Sequence, residues 1–422
     1  MARRLFALWF DANTWIHRRV DALRLDVDGA TRRYVSLDFT LPPDLAIPGS
    51  RGRILVPLAL LKKQTIRRLD TSDGAKNSAS VLTSAENSRW MLAMLSYAVR
   101  EFLPSRLIHE IGSGLDLEAI VRSSLENAGG AKSKINQVFT EARKGMPLSR
   151  LEESQVDIVQ DVIVQAADHF LLLIEVDKST VAQRSMVKYA LDQDTPDDDR
   201  RGTKRVTISQ EIPDFGFAAS QHVEIQVPPG LMIERLDLQE LGDEGGRIRH
   251  ESSDWGDGKR SIAHCALHPT HRLNRGRWIV TVVPAQQGLY GFAKVAVPTV
   301  AASSIGAFIA RFMDAYLVRD PTDIFASPSA SILLVGPALL LSWMSRKPEH
   351  AMVARLQFPL RLMLLALASC LLLLAGVSAI PLTPHAWNAA WVLVVILALG
   401  SSIHFTCFAA DLSLRQVVRF KR

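Results

Sequence analysis

The last third of the chain holds long apolar runs without a charge, and that fact limits what the rest can be. From Leu289 onward acidic and basic residues thin out and long apolar runs appear. A helix that crosses about 30 Å of hydrocarbon needs about 20 mostly apolar residues. Leu362–Ile380 and Ala386–Ala410 meet this requirement. Between Asp323 and Arg346 no charged residue occurs, which makes a further candidate despite Pro337. With three crossings, the basic segments after Met344 and after Ala410 would sit inside and the first 290 residues outside, with no export signal to put them there.

A fourth span resolves this conflict. Residues 289–310 carry one charge, Lys294, and are rich in Ala, Ser and Gly, the residues that let bilayer helices approach closely. The expected spans are therefore about 289–310, 325–345, 360–380 and 387–410. The loop "SRKPEHAMVARLQFPLR" holds Arg346, Lys347, Arg355 and Arg361 against Glu349. The 412–422 tail holds Arg415, Arg419, Lys421 and Arg422, with Asp411 just before it. Both read as cytoplasmic, as do the N-terminus and the C-terminus, while "RFMDAYLVRDPTDIF" and "PLTPHAW" read as external. Trp343, Trp387 and Trp391 fall near segment ends, as interfacial aromatics do. The expected location is the cell membrane, multi-pass.

Residues 1–170 read as an α+β cytoplasmic domain. "VDALRLDVDG" and "RYVSLDFTLP" alternate apolar and polar residues around the turn-forming Asp28-Gly29. "GRILVPLALL" is another strand candidate. Thr83 and Glu86 have capping-box spacing at the head of a long helix. Further helices are expected over 116–127, 135–144 and 155–169, with Gly129-Gly130 as a break and "IGSGLD" as a loop. "HFLLLIEV" is a buried strand. The N-terminal "MARRLFALWFDAN" starts like a signal peptide, but Asp11 interrupts the apolar run.

Residues 171–288 read as an all-β, sandwich-like juxtamembrane domain. "VTISQEIP", "SQHVEIQVPPG", "LMIERLDLQEL", "RSIAHCALHP" and "GRWIVTVVPA" are its strands. "LDQDTPDDDRRGTKR" reads as a solvated loop, since its aspartates lack EF-hand spacing. The fold class is thus an α+β region, a β-sandwich and an all-α four-helix transmembrane bundle over 289–411.

Chemistry is sparse. The net charge of +6 is modest and forms no stripe with aromatics, so nucleic acid is not indicated. The cysteines, Cys265, Cys370 and Cys407, make no disulfide framework. "HCALHPTH" clusters the metal-capable His264, Cys265, His268 and His271. On a strand, however, His264 and His268 lie about 13 Å apart and Cys265 points the other way. No metal, cofactor or catalytic set is assigned. His404, inside the last span, is the membrane candidate, because ionisable groups there are costly.

"PALLLSWMSRKPEHAMVARL", with "SQHVEIQVPPGLMI" upstream, resembles bacterial multi-pass membrane proteins with a β-rich cytoplasmic region. The resemblance covers about residues 210–365. It implies the four-span arrangement and brings no activity. The leading expectation is a non-enzymatic protein, such as a stress or defence effector, whose cytoplasmic region senses or binds a protein partner. Its other partner is the lipid bilayer, and a homo-oligomer stays open. The alternative is a small channel or transporter with a regulatory cytoplasmic domain.

Overall fold

In the computed structural model the chain has a β-rich N-terminal region with several sheets and a helical C-terminal region. The structure describes all but residues 26–29, 64–66, 75–76, 145–146, 195–197, 202–204, 213, 242–246, 255–259, 271–274, 286–287, 318–334, 336–350, 380–382 and 420–422.

The strands, in chain order, are β1 (Ile16–Leu25), β2 (Ala30–Thr40), β3 (Ile47–Pro48), β4 (Ile54–Lys62), β5 (Arg67–Asp73), β6 (Ser80–Val81), β7 (His169–Val176), β8 (Arg184–Asp194), β9 (Asp198–Arg201), β10 (Val206–Ile212), β11 (Gln221–Gln226), β12 (Leu231–Leu241), β13 (Arg247–Asp254), β14 (Ile262–Leu267) and β15 (Arg275–Pro284). Among the described residues they form three sheets, ordered β14-β11-β1-β2-β8-β5, β13-β12-β15-β10-β9 and β3-β4-β7-β6. The six-stranded sheet takes strands from both sides of residue 170, and β7 runs through that position.

One hydrophobic core gathers the N-terminal helix Ala2–Phe10, the long helices, the four-stranded sheet and part of the six-stranded sheet. β4 is buried at every position before Lys62, as a strand covered on both faces must be. Pro57 sits in its middle at a register shift, where the missing N–H is tolerated. The helix Ser84–Phe102 starts with both capping-box bonds, Glu86 N–H to Thr83 Oγ1 and Thr83 N–H to the Glu86 carboxylate.

Lys63 ties helix ends together. Its Nζ donates to the carbonyls of Val121 (2.8 Å), Ile120 (3.0 Å) and Ala167 (3.2 Å). These lie at the C-terminal ends of helices Leu117–Arg122 and Arg150–Asp168, where a cation meets the negative end of the dipole.

A second core lies between the five-stranded sheet and the β1, β11 and β14 end of the six-stranded one. Leu23, Leu25, Val223, Ile225 and Cys265 face Ile208, Leu236, Leu238, Trp278 and Val280 across it. In β12 a bulge between Ile233 and Arg235 shifts the buried positions from Leu231 and Ile233 to Leu236 and Leu238. The sandwich therefore shares one of its layers with the first core.

Several local expectations are corrected. Gly129-Gly130 do not break a helix: Leu125–Arg143 is continuous, because its buried Ala128, Ile135, Phe139 and Ala142 are held by packing. "IGSGLD" is not a loop: Gly112 and Gly114 close the helix Ser105–Gly114. At Gly114 an added Cβ would meet Val138 Cγ1 at 2.9 Å, so the glycine allows close helix contact. Part of the charged 191–205 segment is strand, with β9 pairing β10 at the sheet edge. β13 was not anticipated, since its polar sequence shows no alternation.

Among the described residues three long helices follow the β-rich region: Leu289–Leu317, Ala351–Ala379 and Pro384–Arg419. Among the described residues two stretches, Met352–Leu373 and Asn388–Cys407, are long and apolar enough to cross a membrane. The expected span at 325–345 lies almost wholly outside the described residues. Three loop assignments change: 311–317, 351–361 and 411–419 are helical rather than loop or tail. The Ala351–Ala379 helix is 29 residues long. At 1.5 Å per residue it measures about 44 Å, more than a bilayer core needs.

Candidate functional site

The two cores meet at a buried cluster of charge. In β1 the residues that share a face with Leu23 and Leu25 are Arg19 and Asp21, so strand alternation places both inside. Arg19 is fully buried and Asp21 is 1% exposed. Arg19 Nε donates to Asp21 Oδ2 at 2.8 Å, and its Nη1 donates to Asp214. Arg33, from β2, donates to Asp21 Oδ1 through Nε at 2.8 Å and Nη2 at 2.5 Å. Gln221 Nε2 donates to Asp21 Oδ2 at 2.6 Å. Tyr189 Oη lies 3.4 Å from Arg19 Nη2. Two guanidinium groups and two carboxylates balance, which such burial requires.

Burial alone would raise the Asp21 pKa, but Arg19 and then Arg33 overcome it and hold the group at about 2. Burial likewise opposes the charge on Arg19, yet Asp21 and Asp214 keep its pKa well above the usual value. Burial pushes Tyr189 up to about 12.

Asp214 opens a short bridge with a foot in each core. Phe215 belongs to the sandwich core, while Phe217 and Ala218 belong to the first core. Phe217 packs edge-on against Trp9 with ring centroids 5.3 Å apart. Phe215 lies over Gly276 of β15, where an added Cβ would sit 2.1 Å from the Phe215 ring. The glycine is required by this approach. Sequence reading missed the whole cluster. Its only local sign is that Arg19 and Asp21 share the parity of Leu23.

The Ala351–Ala379 helix joins the sandwich to the other C-terminal helices. Val353 (7% exposed) and Leu356 (fully buried) belong to the sandwich core, with Met352 packed against it. Leu360, Met363, Leu364 and Leu367 of the same helix pack with Leu289, Ala293 and Val297. Pro359 falls between the two sets, inside the helix. It has no N–H for the carbonyl four residues back, so the helix is softest at that point. Gly230, with φ +90°, lets the β11–β12 turn approach the helix: an added Cβ would be 3.1 Å from Gln357 Nε2. Small residues line the helix contacts, among them Ala293, Ala301, Ser304, Ala368 and Ala398. The outer faces are apolar instead, with Leu362, Leu365 and Leu372 on one helix and Val392, Ile396 and Ile403 on the next exposed. His404 is exposed as well, beside Phe405, whose ring lies tilted against Tyr290 with centroids 5.9 Å apart.

The metal-capable residues of "HCALHPTH" separate. Cys265 is buried in the sandwich core, with Sγ 3.3 Å from the Glu251 carbonyl, and burial raises its pKa to about 11. His264 is exposed on the other face of β14. His268 lies with Nδ1 3.1 Å from the Ala219 carbonyl, and His271 is outside the described residues. The partner of His264 is a residue that sequence reading did not single out, His222 of β11: Nδ1 of His222 is 3.0 Å from Nε2 of His264. Burial, then the positive charges of His264, Arg18 and His268, hold His222 down to about 4. No three His, Cys, Asp or Glu side chains converge on one ion position among the described residues.

A polar cleft of about 640 Å³ opens between the β5–β8 edge and β7. Its charged groups are engaged within the chain. Glu175 accepts from Ser50 N–H and Oγ at 2.6 and 2.8 Å, Arg53 donates to Ser80 at 3.1 Å, and Arg184 pairs with Asp38.

The chain matches no protein-family model and no curated protein, so neither the bacterial resemblance nor any activity gains support from relatives.

Proposed function

We propose that this is a multi-pass membrane protein whose large cytoplasmic β-rich region senses or binds a protein partner and passes the event to the bilayer helices. The observation that carries the reading is the double membership of the Ala351–Ala379 helix. One continuous helix contributes Leu356 to the sandwich core and Leu360, Met363 and Leu364 to the helical cluster. Displacement of the sandwich then moves the bundle with it. The charged bridge at Asp214 extends the same path to the helical layer.

In this reading four spans cross the membrane, at about 289–310, 325–345, 360–380 and 387–410. The N-terminal region, the 346–361 segment and the C-terminal end lie in the cytoplasm, as the excess of Arg and Lys there favours. The exposed leucines and isoleucines of the last two helices support a lipid environment, because water would penalise such a surface. About two thirds of the chain precedes the C-terminal helices, and so large a β-rich region supports a binding role. His404 is exposed on the last helix, and the alternative of a small channel or transporter is tested by ion flux in liposomes with His404→Leu.

Topology reporters fused after residues 288, 320, 350 and 385 test the arrangement. Cytoplasmic signal is expected at 288 and 350, and external signal at 320 and 385. Release of the chain from membranes by alkaline washing, or digestion of the first 280 residues by external protease, would refute it. Partner binding is tested by crosslinking in intact cells with photoreactive residues placed on the cytoplasmic β-rich region.

A further inference from the structure

The exposed face of the six-stranded sheet carries two imidazoles whose nitrogens converge. β11 and β14 pair antiparallel with Glu224 opposite His264 and His222 opposite Ala266. His222 and His264 are therefore diagonal neighbours on one face, within reach of each other across a strand pair. Nδ1 of His222 and Nε2 of His264 are 3.0 Å apart, and the rings are tilted by 39°. Two imidazole nitrogens held on one zinc ion, each at about 2.0–2.1 Å and at a tetrahedral angle, are about 3.3 Å apart. The pair is thus within a few tenths of an ångström of the required bite.

The geometry points to a two-histidine clip on the exposed sheet face that takes a divalent transition ion of the zinc class, with water completing the coordination. The far nitrogen of His222 supports this assignment. Nε2 lies 2.9 Å from Ser220 Oγ. When Nδ1 turns its lone pair to the ion, Nε2 carries the proton and donates it to Ser220, which fixes tautomer and ring orientation as outer partners of metal-bound histidines do. The proton now lying between the two rings moves to a far nitrogen, and none need leave the pair. Glu224, directly across from His264 on the same face, adds negative charge beside the ion, while Arg18 opposes it. His268 lies apart, turned to the Ala219 carbonyl, and Cys265 is on the opposite face, so neither belongs to the clip.

The site is independent of what the bundle does, and its test uses the full chain in detergent, stripped of metal with a chelator and titrated with Zn²⁺ alone. One ion per chain is expected, with affinity falling about tenfold or more in His222→Gln and in His264→Gln. His268→Gln and Cys265→Ser should bind as the parent does. On the parent protein itself, Zn²⁺ should slow chemical modification of two imidazoles. Melting curves without metal check that the variants fold. The assignment is overturned if the parent chain binds no stoichiometric Zn²⁺, if binding survives both glutamine substitutions, or if His268→Gln or Cys265→Ser abolishes it.

Discussion

Arg19 and Asp214 are 195 positions apart in the chain and form an ion pair in which both side chains are 1% exposed. The pair stands where two hydrophobic cores share one sheet. With Asp21 and Arg33 it makes a neutral cluster that cannot lose a member cheaply.

Asp21→Asn removes the carboxylate that Arg19, Arg33 and Gln221 all contact. Two buried guanidinium groups then share one remaining anion. A loss of about 3–5 kcal/mol is expected in denaturant unfolding. Asp38→Asn, which removes the partner of the exposed Arg184, should cost less than about 1 kcal/mol.

Acid titration should expose the same cluster. The folded-state pKa of Asp21 is about 2, against 3.8 for the free group. The stability this shift confers is fully present above about pH 4 and is lost as pH falls through about 2. Below pH 4 the folded parent binds fewer protons than its unfolded state, so its stability must decline by about 2 kcal/mol from this group. Asp21→Asn should show a flatter decline over that interval, measured by unfolding at a series of pH values.

Leu356→Ala tests whether the long helix belongs to the sandwich. Leu356 is fully buried in the sandwich core. Truncation should destabilise that core by about 2–5 kcal/mol, read from hydrogen exchange in β12 and β15, although the residue sits in a helix that continues into the C-terminal helical cluster. Leu365→Ala, on the exposed face of the same helix, should leave that signal unchanged.

Gly276→Ala places a methyl group where the Phe215 ring now sits. A loss of about 1–3 kcal/mol is expected from overpacking. Combining it with Phe215→Ala should cost less than the sum of the two single changes, because the clash requires both groups. A double-mutant cycle of unfolding free energies measures the coupling.

Lys63→Met keeps the length of the side chain and deletes the donor shared by Ile120, Val121 and Ala167. Carbonyls at two helix ends lose their cation, at an expected cost of about 1–3 kcal/mol. Hydrogen exchange should rise at the ends of Leu117–Arg122 and Arg150–Asp168 before it rises elsewhere.

Local pattern determined a good part of this protein. Alternation marked β1, β2 and β11, flanking turn residues marked β12, and Thr83 and Glu86 marked a helix start that the side-chain bonds bear out. Hydrophobic length alone marked the helices around Leu362–Ile380 and Ala386–Ala410, because a helix buries or exposes its residues by their own chemistry. The same local reasoning failed at Gly129-Gly130, where packing outweighs the intrinsic cost of glycine in a helix. It failed again at 351–361, whose basic residues read as a loop, although Val353 and Leu356 dock on the sandwich. Arg19 with Asp214, and His222 with His264, were invisible for a deeper reason. Each pair is made by strands or turns that are distant in sequence, and no residue's own neighbours encode its partner. Only the closing of the six-stranded sheet brings β1 beside β11 and β11 beside β14, and that closure decides which charges are sealed in and which nitrogens meet.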